Sequence, residues 1–390
     1  MKRLIRILLV IAAVALALKF AIPVADPVAR GQGGVLPQSS APSLPKSNYL
    51  GNETCAVCHT EIAEKQQKAA MAKAMEKVAD CRILRMHQEL KFQLGKFIFK
   101  IIRRGDQSIY TVSDGKSELS VPILYAFGQG KAGQTYVYGY LGNMYESRVS
   151  FYTEINGLDI TLGYDREVPQ NVIEAAGRQM SVDETRRCFG CHTTGGIPKK
   201  GEISQLQLDH LVPGVSCESC HGPGDKHVAA MRAGDLVAAK MKKLSDLDGD
   251  DITQNMCGSC HRSVEDVMAL PNRGGVNNVR FQPYRIFNSR CYSADKRIGC
   301  TSCHNPHEPT QTSPAFYDEK CLACHVKQGS KPTPGTGTPA SDNAPFARAC
   351  KVGKKDCAGC HMPAIELPGA HFKFTDHRIR IVREGAPFPN

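Results

Sequence analysis

The sequence predicts a mainly α, loop-rich chain with a small antiparallel β module inserted toward its N-terminal end. Three observations lead there. Cys-x-x-Cys-His recurs seven times in 390 residues. Six copies crowd between Cys188 and His361, about 29 residues apiece, too few to build an ordinary core around each. Between the first copy and the second lies a stretch with strand-like alternation and no copy at all.

The copies are Cys55/Cys58/His59, Cys188/Cys191/His192, Cys217/Cys220/His221, Cys257/Cys260/His261, Cys300/Cys303/His304, Cys321/Cys324/His325 and Cys357/Cys360/His361. With 17 Cys and 13 His in the chain, chance placement gives about 0.02 copies. Two thiols three residues apart reach the two vinyl groups on one edge of a haem, and the His that follows reaches the iron. Structural zinc needs four protein ligands and pairs its half-sites, and a disulfide scaffold has no use for the adjacent His. The cofactors expected are therefore seven covalent haem c groups with their irons, and the fold a multihaem cytochrome c wrap in which porphyrins serve as the core.

Residues 1–25 read as a signal peptide or N-terminal anchor. Lys2, Arg3 and Arg6 precede an apolar run from Ile7 to Leu18, a length suited to a signal and short for a membrane span. Residues 26–50 are a flexible linker with Pro27, Pro37, Pro42 and Pro45. Residues 51–84 form the first haem-binding segment, with a helix expected over Glu61 to Ala79 from its Ala, Lys, Glu and Met content. Residues 85–165 are the β module. Leu90–Arg103, Ile109–Val112, Val121–Tyr125, Thr135–Tyr140 and Glu146–Tyr152 are its strand candidates, separated by Gly and Asp clusters. Residues 166–390 make the six-haem domain, with a Pro-rich surface loop over Lys327–Ala347.

The formal charge of +11 ordinarily suggests a polyanionic partner. Here fourteen haem propionates would offset it, so no nucleic acid partner is expected. Lys199/Lys200, Lys242/Lys243 and Lys354/Lys355 are either solvated faces or docking points for an acidic redox protein. Asp246, Asp248, Asp250 and Asp251 depart from the EF-hand order and read as a solvated turn rather than a calcium site. Haem attachment and the leader both place the protein outside the cytoplasm, in the periplasm. An uncleaved leader would hold it at a membrane. Of the cysteines outside the motifs, Cys81, Cys291 and Cys350, the pair expected to bridge is Cys291 with Cys350.

The chain resembles periplasmic multihaem cytochromes related to the tetrahaem cytochrome of ammonia oxidisers. More distantly it resembles pentahaem nitrite reductase and octahaem hydroxylamine oxidoreductase. The resemblance is carried by Cys188-Phe-Gly-Cys-His-Thr-Thr-Gly, by Cys217-Glu-Ser-Cys-His-Gly-Pro-Gly with His227, by Cys300-Thr-Ser-Cys-His-Asn-Pro-His, and by Cys357-Ala-Gly-Cys-His-Met-Pro followed by His371 and Thr375-Asp376-His377. It implies His227, His307, His371 and His377 as second axial ligands. His210 and His87, the other histidines outside the motifs, are further candidates for second ligands. The family commonly has a His twelve residues beyond the first proximal His, where this chain has Met71. Met71 is either an axial ligand or a packing residue beside Met75. Every motif ends in His, with none of the Lys that the related nitrite reductases place at their active haem. The expected function is electron transfer through stacked haems between redox protein partners rather than catalysis. The alternative is a reductase or oxidase of a small nitrogen or sulfur compound at one five-coordinate haem.

Overall fold

The computed structural model describes residues 49–195, 211–241, 246–270, 275–289, 291–292, 298–325, 350, 352–353 and 355–389. The leader, most of the linker, the Lys327–Ala347 loop, His210 and the Lys199/Lys200 and Lys242/Lys243 pairs lie outside these residues.

The dominant element is a nine-stranded antiparallel sheet: β1 (Met75–Lys77), β2 (Glu89–Leu94), β3 (Phe97–Arg104), β4 (Gln107–Ser113), β5 (Glu118–Phe127), β6 (Gln134–Tyr140), β7 (Asn143–Tyr152), β8 (Gly157–Ile160) and β9 (Gly177–Gln179). β2 to β8 follow one another in sequence order, β1 adds to β5 and β9 to β7. Register irregularities at Ile123/Tyr125 and Thr135/Val137 bend the sheet, and β2 comes round to β8, so it nearly closes. Phe97, Phe99, Ile101, Tyr110, Val112, Tyr136, Tyr138 and Val149 fill its interior. The short helices Arg82–Met86 and Val172–Ala176 pack against it, and Tyr110 donates its hydroxyl to the Ala176 carbonyl at 2.9 Å.

This corrects the mainly α expectation: the sheet is the largest body of the fold, not a small insertion. The alternating runs mark only its middle. β1 was concealed by helix-favouring residues, and β9 is three residues long. The helix expected over Glu61–Ala79 stops at Gln66, a 3₁₀ turn follows at Met71–Lys73, and Met75 pairs with Phe127 on β5. Met75 is fully buried with Phe127, Val137, Met180, Phe189 and Leu211. Burial in a non-local core outweighs a weak local propensity.

That second core joins the sheet to the motif region, since Phe189 lies inside the second motif on the helix Val182–His192. The helix opens with a full capping box between Ser181 and Glu184. The other helices bearing motifs are short, as in Asn52–Ala56, Cys217–His221, Gly258–His261 and Cys357–His361. A third small core gathers Val279, Leu367 and Ala370, with Leu162 of the segment after β8 against it. Beside it Arg285 and Asp376, both without exposure, form a bidentate pair at 2.8 and 3.0 Å. Burial opposes the ionised form of Asp376, but Arg285, Arg380 and the Arg378 amide outweigh it and hold the carboxyl below its ordinary value.

Candidate haem centres

The first motif is placed against the third. Asn52, at the start of the first motif helix, accepts the Cys217 N–H at 3.2 Å. The Gln66 amide donates to the Val215 carbonyl at 2.7 Å, and Val215 donates its N–H to Met71 O at 2.9 Å. Gly214, at φ 75°, makes this approach feasible: a Cβ there would lie 1.9 Å from Ala72 O.

Thiols of different motifs meet throughout. Cys55 lies beside Cys217, Cys191 beside Cys260, Cys257 beside Cys300, and Cys321 beside Cys357. Cys220 also faces Cys260, and Cys303 faces Cys321. Because these thiols mark haem edges, the adjacency runs from the first motif to the third, fourth, fifth, sixth and seventh, with the second joining at the fourth.

Cys58 and Cys360 depart from this pattern. Both are exposed thiols that take part in none of the contacts between motifs described above, as is Cys324 of the sixth motif; Cys260 is exposed as well. The first and seventh motifs each place one thiol, Cys55 or Cys357, beside a neighbouring motif. Haem attachment at Cys58 and Cys360, as at the other motif thiols, rests on the motif.

Three histidine pairs form across motifs. His59 faces His227 with ring centres 6.3 Å apart, His221 faces His307 at 6.0 Å, and His304 faces His377 at 6.2 Å. Two imidazoles bound on opposite faces of one metal ion, each nitrogen about 2.0–2.1 Å away, have ring centres roughly 6 Å apart. The residues present therefore fit an iron between each pair. Tautomers agree as well. His227 Nδ1 donates to Ala239 O at 2.5 Å and His377 Nδ1 to Thr375 O at 2.9 Å, which leaves Nε2 unprotonated for a metal. The motif histidines His192 and His361 do the same toward Ala74 O and Arg380 O, both at 2.8 Å. Burial lowers the pKa of His192 and His304, and pushes His377 down to about 4, favouring the neutral form that ligates.

The remaining expected ligands are placed differently. His87 sits on Phe151 with Nδ1 at Ile83 O (2.8 Å) and Nε2 at Asn156 Oδ1 (3.2 Å). His371 lies against Tyr152, its Nε2 bonded at 2.7 Å to Asp159, which also binds Arg166. Both thus spend Nε2 on the sheet. Met71 is half-buried in its 3₁₀ turn between the first and third motifs. His261 lies near Gln282, and His325 ends its motif just before the undescribed loop.

Cys81, Cys291 and Cys350 are free thiols, so the expected Cys291–Cys350 bridge is not formed. Cys350 is exposed, Cys291 lies toward Cys321 and Cys324, and Cys81 is buried on Gln134. Among the described residues no helix is long and apolar enough to cross a membrane.

Sequence reasoning missed two carboxylates, Glu218 and Asp318. Glu218 occupies a variable position inside the third motif and Asp318 lies three residues before the sixth; neither position carries a sequence signal.

Residues 164–222 match the family model described as cytochrome c554 and c-prime, a stretch containing the second and third motifs. The match supports a c-type cytochrome with covalent haem c, engaged in electron transport. The crystal structure of the outer cell wall cytochrome OcwA is similar, with 18% sequence identity and a TM-score of 0.48 over 85% of this chain and 80% of that one. No curated protein matches the chain.

Proposed function

We propose that this protein is a seven-haem c-type cytochrome that relays electrons through closely spaced haems outside the cytoplasm, between redox protein partners. One observation carries the proposal: three histidine pairs, each joining a motif His to a His from outside the motifs, stand at the separation that brackets a metal ion.

The haems, when bound, supply reversible one-electron chemistry. The chain does the rest. Fourteen motif thiols would attach and space the haems, and the motif histidines His59, His192, His221, His261, His304, His325 and His361 would hold the irons. His227, His307 and His377 would supply second ligands beside the first, third and fifth motifs. Carbonyls of Ala239 and Thr375 fix two of these outer rings in the ligating tautomer. Two imidazoles so placed would leave no position for a substrate, which suits electron exchange. The contacts between motif thiols support a path in which each haem has a neighbour. A periplasmic location is supported by the basic, apolar leader and by the requirement for haem attachment outside the cytoplasm.

The alternative, reduction or oxidation of a small nitrogen or sulfur compound, has one observation in its favour. His87 and His371 both commit Nε2 to the sheet, leaving fewer outer ligands than irons. The deciding experiment adds carbon monoxide, nitrite and hydroxylamine in turn to the reduced holoprotein. A relay binds none rapidly at stoichiometric amounts. Fast binding at one haem with turnover of nitrite or hydroxylamine overturns the relay in favour of catalysis at that haem.

A further inference from the structure

The two ends of the motif path share one device. At one end, Glu218 of the third motif is 2% exposed. Its carboxylate accepts the N–H groups of Leu50 (2.9 and 3.1 Å), Gly51 (2.9 Å) and Gly224 (2.9 Å). Leu50 and Gly51 lead directly into the first motif helix, Asn52–Ala56. At the other end, Asp318 is 8% exposed on the helix Pro314–Leu322, which carries the first cysteine of the sixth motif. Its two oxygens accept the N–H groups of Asp356 and Cys357, each at 2.8 Å, at the start of the seventh motif helix.

A carboxylate removed from water is tolerated only when its oxygens are hydrogen-bonded, and bonds to a charged acceptor are the strong ones. An ordinary helix cap draws on a neighbouring residue. These carboxylates reach across 167–168 and 38–39 positions of sequence. Each fastens the backbone leading into a terminal motif to a side chain on the helix that bears the neighbouring motif, where Cys55 meets Cys217 and Cys321 meets Cys357. Electron exchange falls steeply with separation, so whatever fixes two attachment helices fixes the coupling of their haems.

From these contacts we infer that Glu218 and Asp318 are positioning residues that lock the first haem to the third and the seventh to the sixth, and so set electron exchange at the two ends of the relay. This rests on haem attachment at those four motifs. Intact mass of the wild-type holoprotein tests that foundation separately, and haem missing from any of the four overturns both.

The test of the clamps uses holoprotein carrying Glu218→Gln or Asp318→Asn. Each replaces one acceptor oxygen by an NH₂ that faces a backbone donor. The readouts are haem content, the Soret circular-dichroism couplet that reports haem–haem coupling, and the potentiometric titration. The expected result is full haem content, a reduced couplet in each variant, and additive losses in the double variant. Glu218→Asp, which keeps both acceptors, restores part of the couplet. Should either amide variant lose haem, Glu218→Asp and Asp318→Glu carry the test, because they alter only the reach and are expected to change the couplet. A wild-type couplet in fully loaded variants overturns the proposal. So does a shift in potential with the couplet intact, which would mean charge without positioning.

Discussion

In the sheet, Phe97, Phe99, Tyr110, Val112 and Tyr136 have no exposure, and a continuous antiparallel ladder runs from β2 to β8. Beyond Leu211 the fully buried apolar side chains among the described residues are few and scattered: Ala239, Ile252, Val267, Val279, Ile286, Leu367 and Ala370. The motif region has helices of a few residues and thiols facing thiols where the sheet has aromatic rings facing aromatic rings. The sheet's core is made of its own side chains. The motif region keeps its space for prosthetic groups, and its amino acids mainly hold those groups and one another in position.

The strongest way to break this comparison is to withhold haem. In chain produced without haem attachment, backbone amides of β3 to β7 stay protected from hydrogen exchange while those of 211–325 exchange freely. Equal protection in both regions would show that the motif region has a core of its own. Two substitutions sharpen the contrast. Phe99→Ala empties part of the sheet interior and costs about 3–5 kcal/mol in denaturant unfolding, with the haem spectrum unchanged. Arg285→Met leaves buried Asp376 with Arg380 and the Arg378 amide, costs about 3–5 kcal/mol, and disturbs the spectrum as well, since His377 is the next residue. If the haem spectrum responds to Phe99→Ala as strongly as to Arg285→Met, the two regions are not separable.

Smaller and more local is His227→Ala. Removing the ring that faces His59 would open one iron, so magnetic resonance of the oxidised protein should show a single haem turning from low to high spin. Smallest is Met71→Ala. His59 already faces His227, so the loss of this half-buried side chain should cost under about 1 kcal/mol and leave near-infrared absorption unchanged. Disappearance of a near-infrared band would identify Met71 as a ligand instead.

How much of this was legible in the sequence differs by region for a physical reason. The attachment chemistry is local: thiol, thiol and imidazole must sit within five residues, so Cys55 to His59 and its six repeats can be read directly. Which motif thiols are exposed is not local: Cys58, Cys260, Cys324 and Cys360 are, in the first, fourth, sixth and seventh motifs. The middle strands are legible because side chains alternate across a sheet that buries one face, as in Phe97, Phe99 and Ile101. The extent of the sheet was not, because β1 and β9 form only through partners far along the chain. The outer histidines show the same limit. His227, His307 and His377 come to motif histidines, whereas His371, similar in sequence setting, is drawn to Asp159, a residue 212 positions away. Nothing local distinguishes the two cases. Glu218 and Asp318 were invisible for the opposite reason: their partners are backbone amides, which leave no mark on composition.

The central claim, that the motif region is built on covalent haem at every motif, is tested most directly by the intact mass of the holoprotein made in a host with working haem attachment. The account predicts the chain mass plus seven haems, retained through acid–organic extraction. Six or fewer, with that machinery active, would contradict it.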